Sequence, residues 1–160
     1  MQADQKKMPL VAAMLKYKKE QVYPFHTPGH KGGRGMEPLL AGELGAGALK
    51  MDVSLMAELD DIHCPEGCIA AAQTLAAQLY GSDRCFFAVN GTTQAIQAIL
   101  MTAVKPGGKV LIPRNAHRSV AGGLLLGDLE PVYVLPQFDA VFGINTQVTA
   151  GQIEEALQKD

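Results

Sequence analysis

Met8, Val11, Ala12 and Leu15 recur at helical spacing, with lysines at 16, 18 and 19 largely on the other face, which predicts an amphipathic helix over residues 5–20. The pattern then breaks. Residues 22–51 contain seven glycines together with Pro24, Pro28 and Pro38, so they cannot form one regular element. A loop of that length is usually functional or lies against something else. Residues 69–79 are small and apolar, as in a helix packed closely against a sheet. Pro65 suits its first turn, Glu66 its positive end and Gly81 its C-terminal stop. Residues 85–89 read as a short apolar strand ending at Asn90-Gly91-Thr92-Thr93, and a helix is expected over 93–104. Pro106, Gly107 and Gly108 turn the chain into a second strand at 109–112, followed by a helix over 116–126 and a third strand at 131–135. Thr149 and Gln152 stand at capping-box spacing before a last helix at 153–158.

Alternating strands and helices joined by tight loops predict an α/β fold with a mostly parallel sheet and right-handed crossovers. Three strands make a small open sheet, with edges unpaired and a face poorly covered. The architecture is therefore expected to be incomplete, leaving apolar side chains such as Phe86, Val110, Ile112 and Val132 exposed. The domain reading is a helical segment over 1–22 and the first part of a larger α/β domain over 23–160.

Composition narrows the function. In 160 residues, 48% apolar and 19% charged, a net charge of −2 gives no electrostatic reason to expect nucleic acid or an anionic membrane. Cys64, Cys68 and Cys85 are an odd count, without the density of a secreted disulfide scaffold. Lys6 and Lys7 precede an apolar run over 8–15 that is too short to span a bilayer and lacks a small-residue cleavage site, so a cytoplasmic protein is expected.

Candidate chemistry gathers in two loops. Gly91 permits a tight turn, Thr92 and Thr93 offer hydroxyls, and the start of the following helix adds free N–H groups and its positive dipole end. This suits a phosphate; an ordinary capped helix would use the same residue types. Arg114-Asn115-Ala116-His117-Arg118-Ser119 follows the second strand, at the end where ligands of open α/β sheets collect. His117 there either stacks on a planar ring or serves as a solvated or capping group, and Ser119 and Arg118 could reach a phosphate. His26 and His30, and Cys64 and Cys68, have spacings a metal could use, but Pro28-Gly29 breaks the helix that would align the histidines, and no metal is expected. Glu58, Asp60 and Asp61 could meet a substrate cation, although a solvated charge cluster is the plainer reading.

Four segments in this order, residues 24–33, 52–67, 86–93 and 114–119, resemble the Orn/Lys/Arg decarboxylases. The resemblance runs from about Tyr23 to Pro136 and is to the branch with a short N-terminus. It implies the aspartate-aminotransferase-like fold (fold type I) and pyridoxal 5'-phosphate as cofactor. It implies further that Gly91, Thr92 and Thr93 hold the cofactor phosphate, that His117 stacks on the pyridine ring, and that Ser119 lies near the phosphate. Arg118 stands where many relatives carry lysine, so charge is kept but geometry can differ. The loop of His26, Pro28, Gly29, His30 and Lys31 becomes part of the active-site surroundings or an interface loop; a rigid structural turn is the alternative. The substrate class is a basic amino acid, arginine, lysine or ornithine, in a pathway feeding polyamine synthesis, and the complete protein is expected to be a homodimer or larger assembly. In the family the Schiff-base lysine follows a Ser-x-His context, and none of the ten lysines here has one. That lysine is expected downstream of Asp160, so the chain alone is expected to be inactive. The alternatives are another fold-type-I enzyme, such as an aminotransferase, or a non-catalytic phosphate-binding α/β module.

Overall fold

In the computed structural model, which describes residues 4–159, the chain divides into two units, Met1–Phe87 and Ala88–Asp160.

In the first unit, helix α1 (Pro9–Glu20) packs against helix α4 (Cys68–Tyr80), burying Tyr17, Ile69 and Ala77. α1 starts later than its periodicity suggests because Pro9 takes the first helical position, where its missing N–H costs nothing. The glycine-rich stretch is not a bare loop. It holds a 3-10 turn (Lys31–Gly33) and two short helices, α2 (Pro38–Leu44) and α3 (Ala46–Leu49). Gly33 has φ +96°, and a β-carbon there would come within 2.9 Å of Leu49 Cδ1, so glycine lets the buried Leu49 close over the turn.

Pro65 and Glu66 stand outside α4 rather than in its first turn. What starts this helix is Asp60, whose Oδ2 accepts the N–H groups of Gly67 and Ile69, both at 2.8 Å, and of Ala70 at 3.4 Å. Its other oxygen accepts those of Asp61 and Glu66, at 2.9 and 3.0 Å. One carboxylate thus satisfies donors that a helix start leaves open. Gly81, in the left-handed region at φ +66°, ends the helix as expected.

The strand expected at 85–89 does not form; the segment joins no ladder among the described residues. A strand is defined by its partner, and apolar alternation cannot supply one.

The second unit is the clearest α/β part. Helix α5 (Gly91–Ala103) leads to strand β1 (Lys109–Pro113), helix α6 (Arg118–Gly127) and strand β2 (Glu130–Val134), and β1 and β2 pair in parallel from Lys109 opposite Glu130 to Pro113 opposite Val134. Its core is Ile112, Leu124 and Leu129, with Leu100, Val104, Val110 and Val120 packed against them. Ile112, expected to be exposed, is therefore buried at 8%, and Val110 and Val132 are partly covered, because α5 and α6 close over the sheet; Phe86 in the first unit is open at 76%. A two-residue antiparallel hairpin, β3 (Phe138–Asp139) with β4 (Ile144–Asn145), follows. Helix α7 (Ala150–Lys159) opens on the expected capping box, with Gln152 N–H on Thr149 Oγ1 at 3.3 Å and Thr149 N–H on Gln152 Oε1 at 2.9 Å.

α5 and α6 meet across Gly122 and Gly123. A β-carbon at 123 would lie 2.5 Å from Leu100 Cδ1 and 3.4 Å from the backbone of Gln97. Alanine ordinarily stabilises a helix interior relative to glycine by roughly 1 kcal/mol. Gly123→Ala is expected to reverse that sign and destabilise the chain by about 1–2 kcal/mol through overpacking. Gly151→Ala in α7, which meets nothing within 4 Å, should be neutral or stabilise by about 0.5 kcal/mol. Urea midpoints of the two variants check the contrast; a stabilised Gly123→Ala would mean the helices are not in close contact.

Candidate functional site

The two loops singled out for the cofactor both open helices of the second unit. α5 starts at Gly91, with φ +77° and open space where a β-carbon would stand, and its N-cap residue Asn90 makes no side-chain capping bond. Thr92 and Thr93 are exposed, and neither hydroxyl has a hydrogen-bond partner among the described residues. α5 therefore presents uncapped N–H groups, the positive end of a 13-residue helix and two uncommitted hydroxyls on one open surface. An ordinary capped start would have consumed some of these donors. The residues fit a phosphate.

His117 is the N-cap of α6. Its Nδ1 accepts the backbone N–H of Ser119 at 3.2 Å and lies 2.9 Å from Ser119 Oγ, which donates to it. With Nδ1 accepting twice, the proton of a neutral ring sits on Nε2. Both roles weighed for His117 are thus compatible: Nδ1 caps the helix while the rest of the exposed ring stays available. Ser119 is only 1% exposed, and its hydroxyl is engaged with His117. Arg118 is exposed at the first position of α6, and Arg114, just after β1, lies 5.1 Å over the Tyr133 ring.

The other candidate residues lie in the first unit. His26 Nε2 accepts the Tyr17 hydroxyl at 2.9 Å while its Nδ1 donates to the carbonyl of Thr27, and Lys31 Nζ donates to the His26 carbonyl. His30 Nδ1 accepts the Gly33 N–H at 3.2 Å, and its Nε2 lies 3.1 Å from Asp52 Oδ2. The two histidines therefore hold opposite tautomers, each pinned at both nitrogens. Pro28 follows a cis peptide bond after Thr27, and Gly29 has open space around it.

In the acidic cluster Glu58 and Asp61 are exposed, while Asp60 resolves differently from either expectation. Both Asp60 oxygens are occupied by backbone donors, and its carboxyl is held well below the usual range, by the Glu66 N–H foremost and then by those of Asp61, Gly67 and Ile69, against an opposing desolvation. It is a helix cap, a role no local spacing announces because the donors lie up to ten residues away. Cys68 donates its thiol to the Leu59 carbonyl at 3.2 Å, and burial, with the Asp60 charge, pushes its pKa up, which disfavours the thiolate.

Comparison with known proteins places the chain in a family. The arginine decarboxylase of Halalkalibacterium halodurans is 39% identical over 153 residues, covering 96% of this chain and 31% of that protein. The inducible lysine decarboxylase of Escherichia coli is 30% identical, with 92% and 21% covered. Among solved structures, the constitutive lysine decarboxylase of Escherichia coli superposes with a TM-score of 0.78 at 31% identity, over 96% of this chain and 23% of that one. This chain spans about a third of the length of the arginine decarboxylases it matches. The profile of the Orn/Lys/Arg decarboxylase major domain matches residues 8–160, and with the parallel α/β unit and its helix-start loops in place, the chain belongs to that family.

Proposed function

We propose that the protein carrying this chain is a pyridoxal-phosphate-dependent decarboxylase of a basic amino acid, and that these residues form the phosphate-binding and ring-stacking side of its pocket. The observation that carries the reading is the uncapped start of α5, with Gly91 in the left-handed region and the hydroxyls of Thr92 and Thr93 uncommitted. The group, when bound, supplies an electron sink for the pair left behind as carbon dioxide departs. The work of this chain is positional. The N–H groups of α5 and the two hydroxyls would hold the phosphate, and His117, its ring oriented by Ser119, would stack on the cofactor ring. Arginine is the leading substrate, since the relatives named arginine decarboxylase are 38–39% identical against 30% for those named lysine decarboxylase. A homodimer or dimer-based assembly, acting in the cytoplasm in polyamine synthesis, completes the proposal.

In the full-length protein, His117→Ala should weaken pyridoxal phosphate binding about 3- to 10-fold, the worth of one aromatic stack, and lower turnover; the fold should persist, with loss of the α6 cap costing about 1 kcal/mol. Ser119→Ala should show a smaller loss of the same kind. Absorbance titration with the cofactor, alongside carbon dioxide release, measures both. Unchanged affinity and turnover in His117→Ala would remove this residue from the site.

A further inference from the structure

A cleft of about 210 Å³ in the first unit lies among the end of α1, the 22–34 segment and residues 49–53. Its walls carry four cationic side chains, Lys18, Lys31, Arg34 and Lys50, against one carboxylate, Asp52. That carboxylate is already engaged by His30 Nε2 at 3.1 Å. The Lys18 and Lys50 ammonium groups make no hydrogen bond or ion pair among the described residues. Lys31 donates to the His26 carbonyl, and Arg34 lies 4.8 Å over the Tyr23 ring; neither contact neutralises a charge. Like charges lining one concave surface repel, and low-dielectric walls focus their field. Lys31 is also held at φ +49°, a left-handed conformation that side chains with a β-carbon seldom adopt, between His30 and a turn of two glycines.

We infer that this cleft binds a small multivalent oxyanion of the phosphate class. The charge balance calls for an anion carrying more than one negative charge. The volume falls below the roughly 300 Å³ at which drug-sized sites begin, so it suits a phosphate or diphosphate and not a whole nucleotide. A monocarboxylate would leave most of the positive charge unmatched. The inference rests on residues of the first unit and stands independently of the cofactor reading, which rests on the second.

Inorganic pyrophosphate, titrated calorimetrically into the full chain at low salt, tests it. A saturable site that depends on Lys18 and Lys50 is expected, separate from any binding at the start of α5. Affinity should fall at least tenfold in Lys18→Gln/Lys50→Gln and be retained in Lys18→Arg/Lys50→Arg, with circular dichroism unchanged in both. Thr92→Ala/Thr93→Ala should leave pyrophosphate binding as it was. Absence of saturable binding, or affinity undiminished in the glutamine variant, overturns the proposal. Loss of binding in the threonine variant also overturns it, by moving the anion to the start of α5.

Discussion

Offered arginine, lysine or ornithine with pyridoxal phosphate, the 160-residue chain by itself should release no carbon dioxide above the cofactor-only background. The chemistry requires a lysine whose amine reaches the cofactor aldehyde while helix starts hold the phosphate. In the second unit the lysines lie at the wrong ends of their elements. Lys105 follows the C-terminus of α5, roughly 20 Å along the axis from Gly91. Lys109 opens β1 at the strand end away from the His117 loop, and Lys159 closes α7, where Glu155 pairs with it at 2.6 Å. In the first unit Lys31 donates to the His26 carbonyl. Borohydride reduction of the chain with cofactor, followed by peptide mapping, should give at most scattered substoichiometric labelling. Stoichiometric trapping at a single lysine, accompanied by turnover, would overturn both the placement and the pocket assignment.

Asp60→Ala should cost more stability than loss of any other single carboxylate in the first unit, lowering the melting midpoint by several degrees. Five backbone N–H groups lose their acceptor at once, and α4, the helix against which α1 packs, loses its start. Asp60 also sits at φ +76°, where alanine is strained and asparagine is tolerated. The same residue makes a pH prediction. Its folded pKa is depressed, so its contribution is fully present above the unfolded value of about 4 and disappears as pH falls below it toward the folded value. Asp60→Asn keeps the backbone conformation and one acceptor but removes the charge, and should flatten that acid limb. Thermal melts of the three proteins between pH 2 and 7 decide it. Parallel acid limbs in wild type and Asp60→Asn would show that another group carries the linkage.

The amino-acid sequence alone specifies the elements whose cause lies within a few residues of chain. Period and terminal glycines placed α5, β1, α6 and β2 to within a few residues, Thr149 and Gln152 announced their capping box, and Gly81 stopped α4. It determined the family too, because four ordered segments carry far more information than any one loop. The helix start at Asn90–Thr93 was legible as well, since such a start is built from adjacent residues.

Tertiary structure decided whatever depends on a partner distant in sequence. Residues 85–89 have a strand's composition but no ladder, because pairing belongs to two segments and not one. Ile112 is buried because α5 and α6, brought together at Gly122 and Gly123, cover the face that a bare strand pattern leaves open. Asp60 looked like part of a solvated acidic cluster until the chain folded back and set the start of α4 on its carboxylate. Likewise, the cationic cleft draws Lys18 from a helix, Lys31 and Arg34 from a turn and Lys50 from the end of another helix. Charge spacing along the chain cannot foretell such a meeting, because the attraction between an anion and these cations depends on their separation in space.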